Sequence, residues 1–403
     1  MKTLLSAVAI CALTAPALAP FALADEIKVG SVAGITGPIA ELVAPIMDGR
    51  ALAAEQINAA GGLLGGQTLT MVPADSQCDP SGGVDAGNKV VNVDQVVAIV
   101  GASCSGATNG MVQSVTIPAG IPAISDSATA PSISELDDKG LVFRTAPSDA
   151  YQGAALAQYA YDQGFRKLAV TYANDDYNAG IAQVFVEVFS GLGGEVVANQ
   201  VHEPNKASYR AEVATLGGAG GEGLALFAYY GGSGITIIRN SLETGSFGKF
   251  LGADGMFDQS VIDQLGADTL RGNIWLTQSA SDPDSISFKN FAEAYAATGR
   301  DPQAPYAAHG YDATFMMALA IEKAGSADSA AIAQALMEIN DPAGEVINVG
   351  EWAKAKELIA AGTAINYQGA TGSVDFDANG DVPGFYGVNT VGEDGNWQTE
   401  LLK

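Results

Sequence analysis

Positively charged residues are scarce in this sequence. The 403 residues include 19 Lys and Arg against 45 Asp and Glu, so the formal net charge is −26. Binding to nucleic acid or to an anionic membrane surface needs clustered Lys and Arg, and this chain has too few of them. Charged residues make up only 16% of the chain and hydrophobic residues 48%, so the sequence can bury a core. At about 100–200 residues per domain, the length predicts two globular domains.

Residues that commonly carry catalysis or hold metals are also few. The chain has two histidines, His202 and His309, and three cysteines. It has no HExxH motif, no cysteine cluster and no phosphate-binding P-loop, so we expect no metal and no cofactor. Gly101–Gly106 misses the GxSxG spacing of a nucleophile elbow, and the GxGxxG match at Gly218–Gly223 precedes a strand instead of following one. The sequence therefore predicts no enzyme.

Long hydrophobic runs are absent after residue 24, where no segment reaches the roughly 18–20 apolar residues of a membrane span. Met1–Ala24 is typical of a cleavable secretory signal, with Lys2 first, then an apolar stretch, then a small-residue cleavage site before Asp25. A buried N-terminal helix is the alternative, but Pro16 and Pro20 argue against it. A lipoprotein anchor at the cysteine of this segment is disfavoured because isoleucine precedes that cysteine. The mature protein is therefore expected to be exported.

Strand-like and helix-like segments alternate along most of the chain. Val96–Val100 is a continuous apolar run, as expected for a strand buried on both faces of a parallel sheet. Ser81–Val93 before it and Ala107–Ile117 after it have helical patterns. The same rhythm restarts after Pro147, without a Pro- or Ser-rich linker between the halves. The sequence predicts an α/β fold with two three-layer halves and a ligand cleft between them.

Small hydroxyl residues follow two neighbouring strands of the first half. Gly101–Thr108 comes directly after Val96–Val100, and Ser125–Thr129 comes after the next predicted strand. Both turns are expected at the carboxyl edge of a parallel sheet, where free backbone N–H groups and hydroxyls form an anion pocket. The alternative is that these Ser and Thr residues only cap their own helices. The pattern by itself leaves both interpretations open.

Two cysteines remain once the signal segment is removed, Cys78 and Cys104. In an oxidising compartment an isolated pair is most simply a disulfide, and two free buried thiols are the alternative. The spacing excludes a redox CxxC motif.

A series of short motifs, in order, resembles a known family. The marks are IKVGSVAGITGP, AEQINAAGG, QCDP, ASCSGAT, SATAP, NDDY, YYGG and VDFDANGDV, running from Ile27 to near the C-terminus. The chain resembles the branched-chain amino-acid (Leu/Ile/Val) binding proteins of bacterial ABC transporters, which are type I periplasmic substrate-binding proteins. The resemblance implies two doubly wound lobes joined by a three-strand hinge, with residues 25–146 and 278–384 in lobe one and residues 147–277 and 385–403 in lobe two. It also implies a Cys78–Cys104 disulfide.

The resemblance further implies a site for an amino-acid zwitterion. Ser105, together with backbone N–H groups at Ser127 and Thr129, is expected to bind the α-carboxylate. The Thr129 hydroxyl, the Ser127 carbonyl and an acid from lobe two are expected to bind the α-ammonium. That acid maps to Asp254, where the family's amino-acid binders have Glu. Because the Asp side chain is one methylene shorter, lobe closure or a bridging water must span the remaining distance to the ammonium group. An alternative role for Asp254 is an Asx turn before Gly255.

Further positions are implied to close the site and to choose the ligand. Tyr177 and the Tyr229–Ser233 loop, with Tyr230 as the expected contact, would cover the ligand from lobe two. Leu42 and Tyr306 would line its side-chain pocket. Leu42 stands where leucine-type binders have an aromatic residue, and an exchange of this size shifts the preference between ligands by about 1–3 kcal/mol.

We therefore predict a monomeric periplasmic substrate-binding protein that closes on a neutral, aliphatic or branched-chain amino acid and delivers it to an inner-membrane ABC permease. So acidic a chain repels a free anion at long range, which favours a net-neutral ligand. Two alternatives stay open. One is the same fold binding a small amide, urea or an organic acid. The other is an exported hydrolase, which needs a serine close to His202 or His309 and an acid behind the histidine.

Overall fold

The computed structural model describes residues 26–402 of the chain. The predicted signal segment, Met1–Ala24, lies outside the described residues. Within residues 26–402, no helix combines the length and the apolar composition that a membrane crossing needs. This part of the chain forms two large β-sheets and a small third sheet, with helices packed against them.

Strands and helices alternate through most of the described chain, as the sequence pattern predicts. The strands are β1 (Glu26–Ala33), β2 (Thr68–Asp75), β3 (Ala98–Val100), β4 (Ala123–Ser125), β5 (Val142–Arg144), β6 (Lys167–Ala173), β7 (Glu195–His202), β8 (Gly223–Phe227), β9 (Phe250–Ala253), β10 (Ile274–Ala280), β11 (Glu345–Asn348), β12 (Ile365–Gly369), β13 (Gly372–Ser373), β14 (Phe385–Val391) and β15 (Trp397–Leu401). The helices are α1 (Ala40–Ala59), α2 (Pro80–Asn88), α3 (Ser105–Met111), α4 (Ile117–Ala119), α5 (Asp149–Asp162), α6 (Asp176–Gly191), α7 (Arg210–Gly217), α8 (Ile235–Thr244), α9 (Gln259–Leu265), α10 (Ala267–Leu270), α11 (Ile286–Ala296), α12 (Ala307–Ala324), α13 (Ser329–Leu336) and α14 (Trp352–Ala360).

The first sheet is parallel, with the strand order β2-β1-β3-β4-β5. The chain leaves β1 in one direction and returns to extend the sheet in the other, which is the doubly wound arrangement. All residues of β3, β4 and β5 are buried. The sequence pattern did not predict β5, because a short strand buried on both faces has no alternation to reveal it.

The second sheet has the order β15-β14-β10-β9-β8-β6-β7. Strands β6 to β10 are parallel to one another, whereas β14 is antiparallel to β10 and β15 is antiparallel to β14. The C-terminal strands therefore add an antiparallel edge to a parallel sheet. Strands β11, β12 and β13 form the small third sheet, which the sequence pattern did not predict.

Helices α1 and α12 pack together closely in the first lobe. A Cβ atom on Gly49 would lie less than 3.0 Å from the carbonyl oxygen of Ala307, and one on Gly310 would lie equally close to the carbonyl oxygen of Ile46. Any other residue at either position would push the helices apart. This contact sets the position of the first turn of α12 and of Tyr306 just before it.

The chain passes between the two large sheets after β5, after β10 and before β14. Between the second and third passages, α11 to α14 pack in the same apolar core as β1 and α1. The predicted fold of two doubly wound lobes with three connections is confirmed. The exact lobe boundaries stay a prediction; β10 runs to Ala280, past the predicted boundary at residue 277, because its end pairs with β14.

Cys78 and Cys104 form a disulfide with an S–S distance of 2.04 Å, so the free-thiol alternative is wrong. The bond joins the loop after β2 to the residue before α3 across a sequence separation of 26. Loop-closure entropy makes such a bond worth about 3–4 kcal/mol of stability. Because Cys104 lies within the first Ser/Thr turn and directly precedes Ser105, the disulfide also anchors this turn at the start of α3.

Candidate ligand-binding site

The two Ser/Thr turns after β3 and β4 lie side by side and are hydrogen-bonded to each other. The Ser105 hydroxyl accepts hydrogen bonds from the backbone N–H groups of Thr129 (3.2 Å) and Ala130 (3.1 Å). The Ser127 hydroxyl donates to the carbonyl oxygen of Ser103 at 2.9 Å. No side chain caps α3, so the helix-capping alternative is wrong for the first turn. The hydroxyls join the turns to each other instead.

A buried ion pair lies beneath these turns. The Arg50 guanidinium donates to the Asp126 carboxylate at 2.6 Å, and both side chains are almost fully buried, at 1% and 0% exposure. Arg50 also donates to the Ser103 hydroxyl (3.0 Å), which itself donates to Asp126 (3.1 Å). The network ties α1 to both turns and therefore sets their spacing. Sequence reasoning missed it, because a charged residue within a helix is usually solvated.

Asp254 faces the turns from lobe two, directly after β9. Its Oδ1 atom accepts hydrogen bonds from the Gln152 amide at 2.6 Å and the Tyr177 hydroxyl at 3.1 Å. Both donors are side chains, whereas in an Asx turn the carboxylate accepts from the backbone N–H two residues further on. These contacts are therefore not those of an Asx turn. Burial raises the pKa of Asp254, and these hydrogen bonds act in the opposite direction.

A second buried carboxyl, Asp149, lies near Asp254 in the first turn of α5. Asp149 is 0% exposed, and within residues 26–402 neither of its carboxylate oxygens has a hydrogen-bond partner. Burial first, and the charge of Asp254 second, raise its pKa well above the usual range, while the nearby Thr129 hydroxyl acts in the opposite direction. Sequence reasoning missed Asp149, since an acid in the first turn of a helix is ordinary. Asp149 comes directly after the chain crosses into lobe two, and this position could have indicated that it lies near the ligand cleft.

The two sides enclose a small cavity. Its lining comes from both lobes: Ile39, Leu42, Ser103, Ser105, Ser127, Tyr177, Tyr229, Asp254, Gly255 and Tyr306. The volume that the centre of a water molecule can reach inside it is about 20 Å³, which is room for one or two waters. Among the predicted site residues, the structure thus brings together Leu42, Ser105, Ser127, Tyr177, Asp254 and Tyr306.

Two predicted residues, Tyr230 and Thr129, do not line this cavity. After β8 the backbone enters a tight turn that directs Tyr229 into the cavity, where its ring stacks on Tyr177 at 5.3 Å. Tyr230, the next residue, packs instead near the start of α1, and burial raises the pKa of its hydroxyl to about 12. Thr129 is the last residue of the second turn; its N–H is already used by the Ser105 hydroxyl, and its carbonyl oxygen accepts from the N–H of Asp149 at 2.8 Å.

Tyr306 forms one wall of the cavity. It precedes α12 with a φ of 58°, in the left-handed region that non-glycine residues rarely adopt. Its ring lies 5.0 Å from that of His309, and its buried hydroxyl lies close enough to the Asp254 carboxyl to help lower the pKa of that carboxyl. Burial first, and the charge of Asp254 second, raise the pKa of this hydroxyl well above its usual range.

Neither histidine is part of a catalytic triad. His202 contacts the hydroxyls of Thr171 and Ser233, each at 2.8 Å, and Thr171 stands where a triad needs a carboxylate. His309 contacts the Ser279 hydroxyl at 3.0 Å, and its other ring nitrogen has no partner within residues 26–402. Neither ring contacts Ser105, so the hydrolase alternative is wrong. In the same range, no group of three or more His, Cys, Asp and Glu side chains is placed to hold a metal ion.

We expect both histidines to stay neutral far below pH 6.5. Burial lowers the pKa of His202 and of His309 to about 4. A pKa lower in the folded than in the unfolded chain means that protonation favours unfolding, so stability is lost as the pH falls from about 6.5 through 4. A shift of this size corresponds to a loss on the order of 3 kcal/mol for His309.

The measurement is an NMR titration, in which the two histidine rings give two separate resonances. Midpoints near 4 are expected, and a His309 midpoint near 6.5 would contradict its burial. A His309→Gln variant serves as the control, because its denaturant midpoint should depend less on pH between 6.5 and 4 than that of the wild type.

The family model for periplasmic binding proteins matches residues 26–380. A relative from Pseudomonas aeruginosa, named a leucine-, isoleucine-, valine-, threonine- and alanine-binding protein, is 30% identical over 367 residues, covering 90% of this chain and 88% of its own. A leucine-binding protein from Thermotoga maritima superposes with a TM-score of 0.78 at 24% identity, covering 93% of this chain and 97% of its own. A branched-chain amino-acid substrate-binding protein from Streptococcus pneumoniae, solved with isoleucine, gives a TM-score of 0.77 at 25% identity over 94% of this chain and all of its own. This chain therefore belongs to the periplasmic binding proteins, a family of substrate-binding proteins and not of enzymes.

Proposed function

We propose that this protein is the substrate-binding protein of an ABC importer and that its two lobes close around a neutral amino acid. The observation that carries the proposal is the cavity between the lobes, with hydroxyl and backbone groups on one side and the buried Asp254 carboxyl on the other. The names of the relatives as amino-acid-binding proteins support it. In this proposal residues 25–146 and 278–384 move as one lobe and residues 147–277 and 385–403 as the other.

The opposed sides of the cavity match the two ends of a zwitterion. The α-carboxylate is assigned to the turns of Ser105 and Ser127, where backbone N–H groups and hydroxyls offer donors. The backbone N–H of Thr129, which donates to the Ser105 hydroxyl, holds this side in place. The α-ammonium is assigned to Asp254 and to Asp149, whose unpartnered oxygens need a cation or a proton when buried.

The same arrangement favours a ligand without net charge. Beside Asp254 and Asp149, the net charge of −26 disfavours a dicarboxylate, which would bring a second negative charge. Leu42 and Tyr306 line the remaining wall with mainly apolar surface, which suits an aliphatic side chain. The lobes have to move apart to admit it, because the cavity as it stands has room for only one or two waters. We therefore assign a neutral, aliphatic or branched-chain amino acid as the ligand.

Calorimetry on ligand-free protein tests the proposal. The protein is unfolded in guanidinium, refolded and dialysed to remove any ligand that was purified with it. It is then titrated with each of the twenty amino acids, and with urea, acetamide and benzoate as representatives of the alternative ligands. Heat is expected with neutral aliphatic amino acids and not with aspartate or glutamate. The absence of heat and of thermal stabilisation with every amino acid would reject the proposal, and binding of urea, acetamide or benzoate alone would select an alternative ligand class.

We also propose where in the cell this protein acts. An exported, monomeric receptor in the periplasm would capture the amino acid and deliver it to an inner-membrane ABC permease. Closure would hide the ligand until the permease separates the lobes. Gel filtration with light scattering tests the monomer, and uptake of labelled amino acid by cells with and without this chain tests delivery.

A further inference from the structure

Two buried acids lie close together on the lobe-two side of the ligand cavity. Asp254 is 6% exposed and lines the cavity, whereas Asp149 is 0% exposed and lies in the first turn of α5. Gln152, three residues after Asp149 and therefore on the same face of α5, donates to the Asp254 carboxyl at 2.6 Å. The packing of α5 against β9 thus brings the two acids into one buried cluster.

The described residues offer this pair of acids no dedicated counter-charge. The two donors to Asp254 are an amide and a hydroxyl, both neutral. Arg144 is the nearby cation, but its N–H groups donate to Asp381, to Ser134 and to two backbone carbonyl oxygens. Burying one unpaired carboxylate is costly, and a second one beside it adds like-charge repulsion. Ionisation of both acids is therefore unfavourable until a cation arrives.

The other titratable side chains that face the pair are tyrosines from four elements. Burial raises the pKa of each tyrosine hydroxyl above its usual value, so these groups stay neutral and supply no positive charge. Burial also raises the pKa of both acids, and the charge of Asp254 adds to the effect on Asp149. The tyrosines are Tyr177 from α6, Tyr229 after β8, Tyr306 before α12 and Tyr386 from β14.

An amino-acid ligand brings the missing positive charge. Its α-ammonium, assigned above to this side of the cavity, needs to contact only Asp254 to favour the ionised form of the pair. One ammonium beside two carboxylates leaves one negative charge, and so does the ligand-free pair with one proton. The buried cluster therefore keeps the same net charge in both states when the proton passes to solvent.

We propose that Asp149 and Asp254 together hold one proton in the ligand-free protein and release it when the α-ammonium binds, so that amino-acid binding is linked to pH. The proton belongs to the pair and not to one residue, because coupled acids titrate as a unit. Since the ligand binds the ionised pair, affinity is lost as the pH falls through the range in which the ligand-free pair takes up its proton, by up to about tenfold per pH unit. This inference rests on the proposed function, because it needs an ammonium group in the cavity.

Calorimetry in two buffers counts the released protons. Refolded wild type is titrated at the same pH in phosphate and in imidazole, whose ionisation enthalpies differ, with leucine or whichever of the twenty amino acids binds most tightly. The difference in heat gives the number of protons released per ligand. We expect it to approach about one as the pH is lowered from about 8 to about 6, with affinity falling over the same range. His202 and His309 do not contribute, because burial lowers the pKa of both to about 4.

A variant locates the source of the proton. Asp149→Asn removes one acid of the pair and keeps its shape, so its proton release should fall below about half of the wild-type value and its affinity should depend less on pH. Asp162→Asn, at the exposed end of α5, is the matched control and should release as many protons as the wild type.

The buffer comparison on the wild type needs no variant, so it decides the question even if Asp149→Asn does not fold. Binding without proton release throughout this pH range, or equal release by the wild type and Asp149→Asn, overturns the proton link and leaves the proposed function standing. Failure of every amino acid to bind rejects the proposed function and the proton link with it.

Discussion

Replacing Asp254 with alanine should reduce amino-acid affinity by at least about 30-fold. The carboxylate is buried and is the anionic partner assigned to the ligand's ammonium group, and truncating one partner of a buried charge pair costs about 2–5 kcal/mol or more. Each 1.4 kcal/mol is a factor of ten in affinity. The ligand-free fold should tolerate the change, because burial makes the Asp254 charge unfavourable there.

Calorimetry with the amino acid that binds the wild type most tightly measures this effect. Asp254→Asn separates charge from shape, since the amide oxygen can still accept from Gln152 and Tyr177 but carries no charge. Asp263→Ala, on the exposed face of α9, is the control and should bind normally. Unchanged affinity in Asp254→Ala would remove Asp254 from the ligand site. Unfolding of this variant at room temperature would contradict the view that the carboxyl serves binding and not stability.

Replacing Arg50 with methionine should lower the free energy of unfolding by about 3–5 kcal/mol. Methionine fills part of the space but leaves the Asp126 carboxylate buried without its cation, and an uncompensated buried charge carries that penalty. The Ser103 hydroxyl and the Val32 carbonyl oxygen lose donors at the same time. Since these bonds hold the Ser/Thr turns, ligand affinity should fall together with stability.

Denaturant unfolding of matched arginine variants measures the effect. Arg210 forms an ion pair with Glu243 in which the two side chains are 58% and 41% exposed, so Arg210→Met should cost less than about 1 kcal/mol. Removing both charges, in Arg50→Met with Asp126→Leu, should recover part of the stability lost in the single variant. An equal loss in Arg50→Met and Arg210→Met would show that the buried pair contributes no more than a surface pair.

The most reliable predictions from the sequence came from patterns that repeat along the chain. Alternation of apolar strands and amphipathic helices was enough for the α/β class and the two halves, because each lobe is built from local βαβ units. The Ser/Thr turns could be expected at one sheet edge, because the carboxyl ends of parallel strands always meet there. The Cys78–Cys104 disulfide was implied by the resemblance and is present.

The parts that were missed depend on contacts between residues far apart in sequence. Arg50 and Asp126 are 76 residues apart, and no local pattern marks an arginine in α1 as the partner of a buried aspartate. Asp149 has the sequence context of an ordinary first-turn acid, and only the packing of α5 against β9 within lobe two brings it near Asp254. The exchange of Tyr229 for Tyr230 follows from the end of β8, where Tyr229 is still extended and Tyr230 begins a helical turn, so the two side chains point in different directions.

Scarcity of positive charge, of histidine and of apolar runs was visible in the sequence by itself, and it argues against polyanionic partners and against a metal-site motif. The motif order and the βαβ rhythm determined the family and the fold. Only the tertiary structure decided which side chains are buried against each other, and burial is what gives a carboxylate or a hydroxyl its binding role. It formed the cavity, brought the Asp149 and Asp254 carboxyls together and placed Tyr306 in the cavity wall, because those arrangements depend on long-range packing that local sequence does not encode.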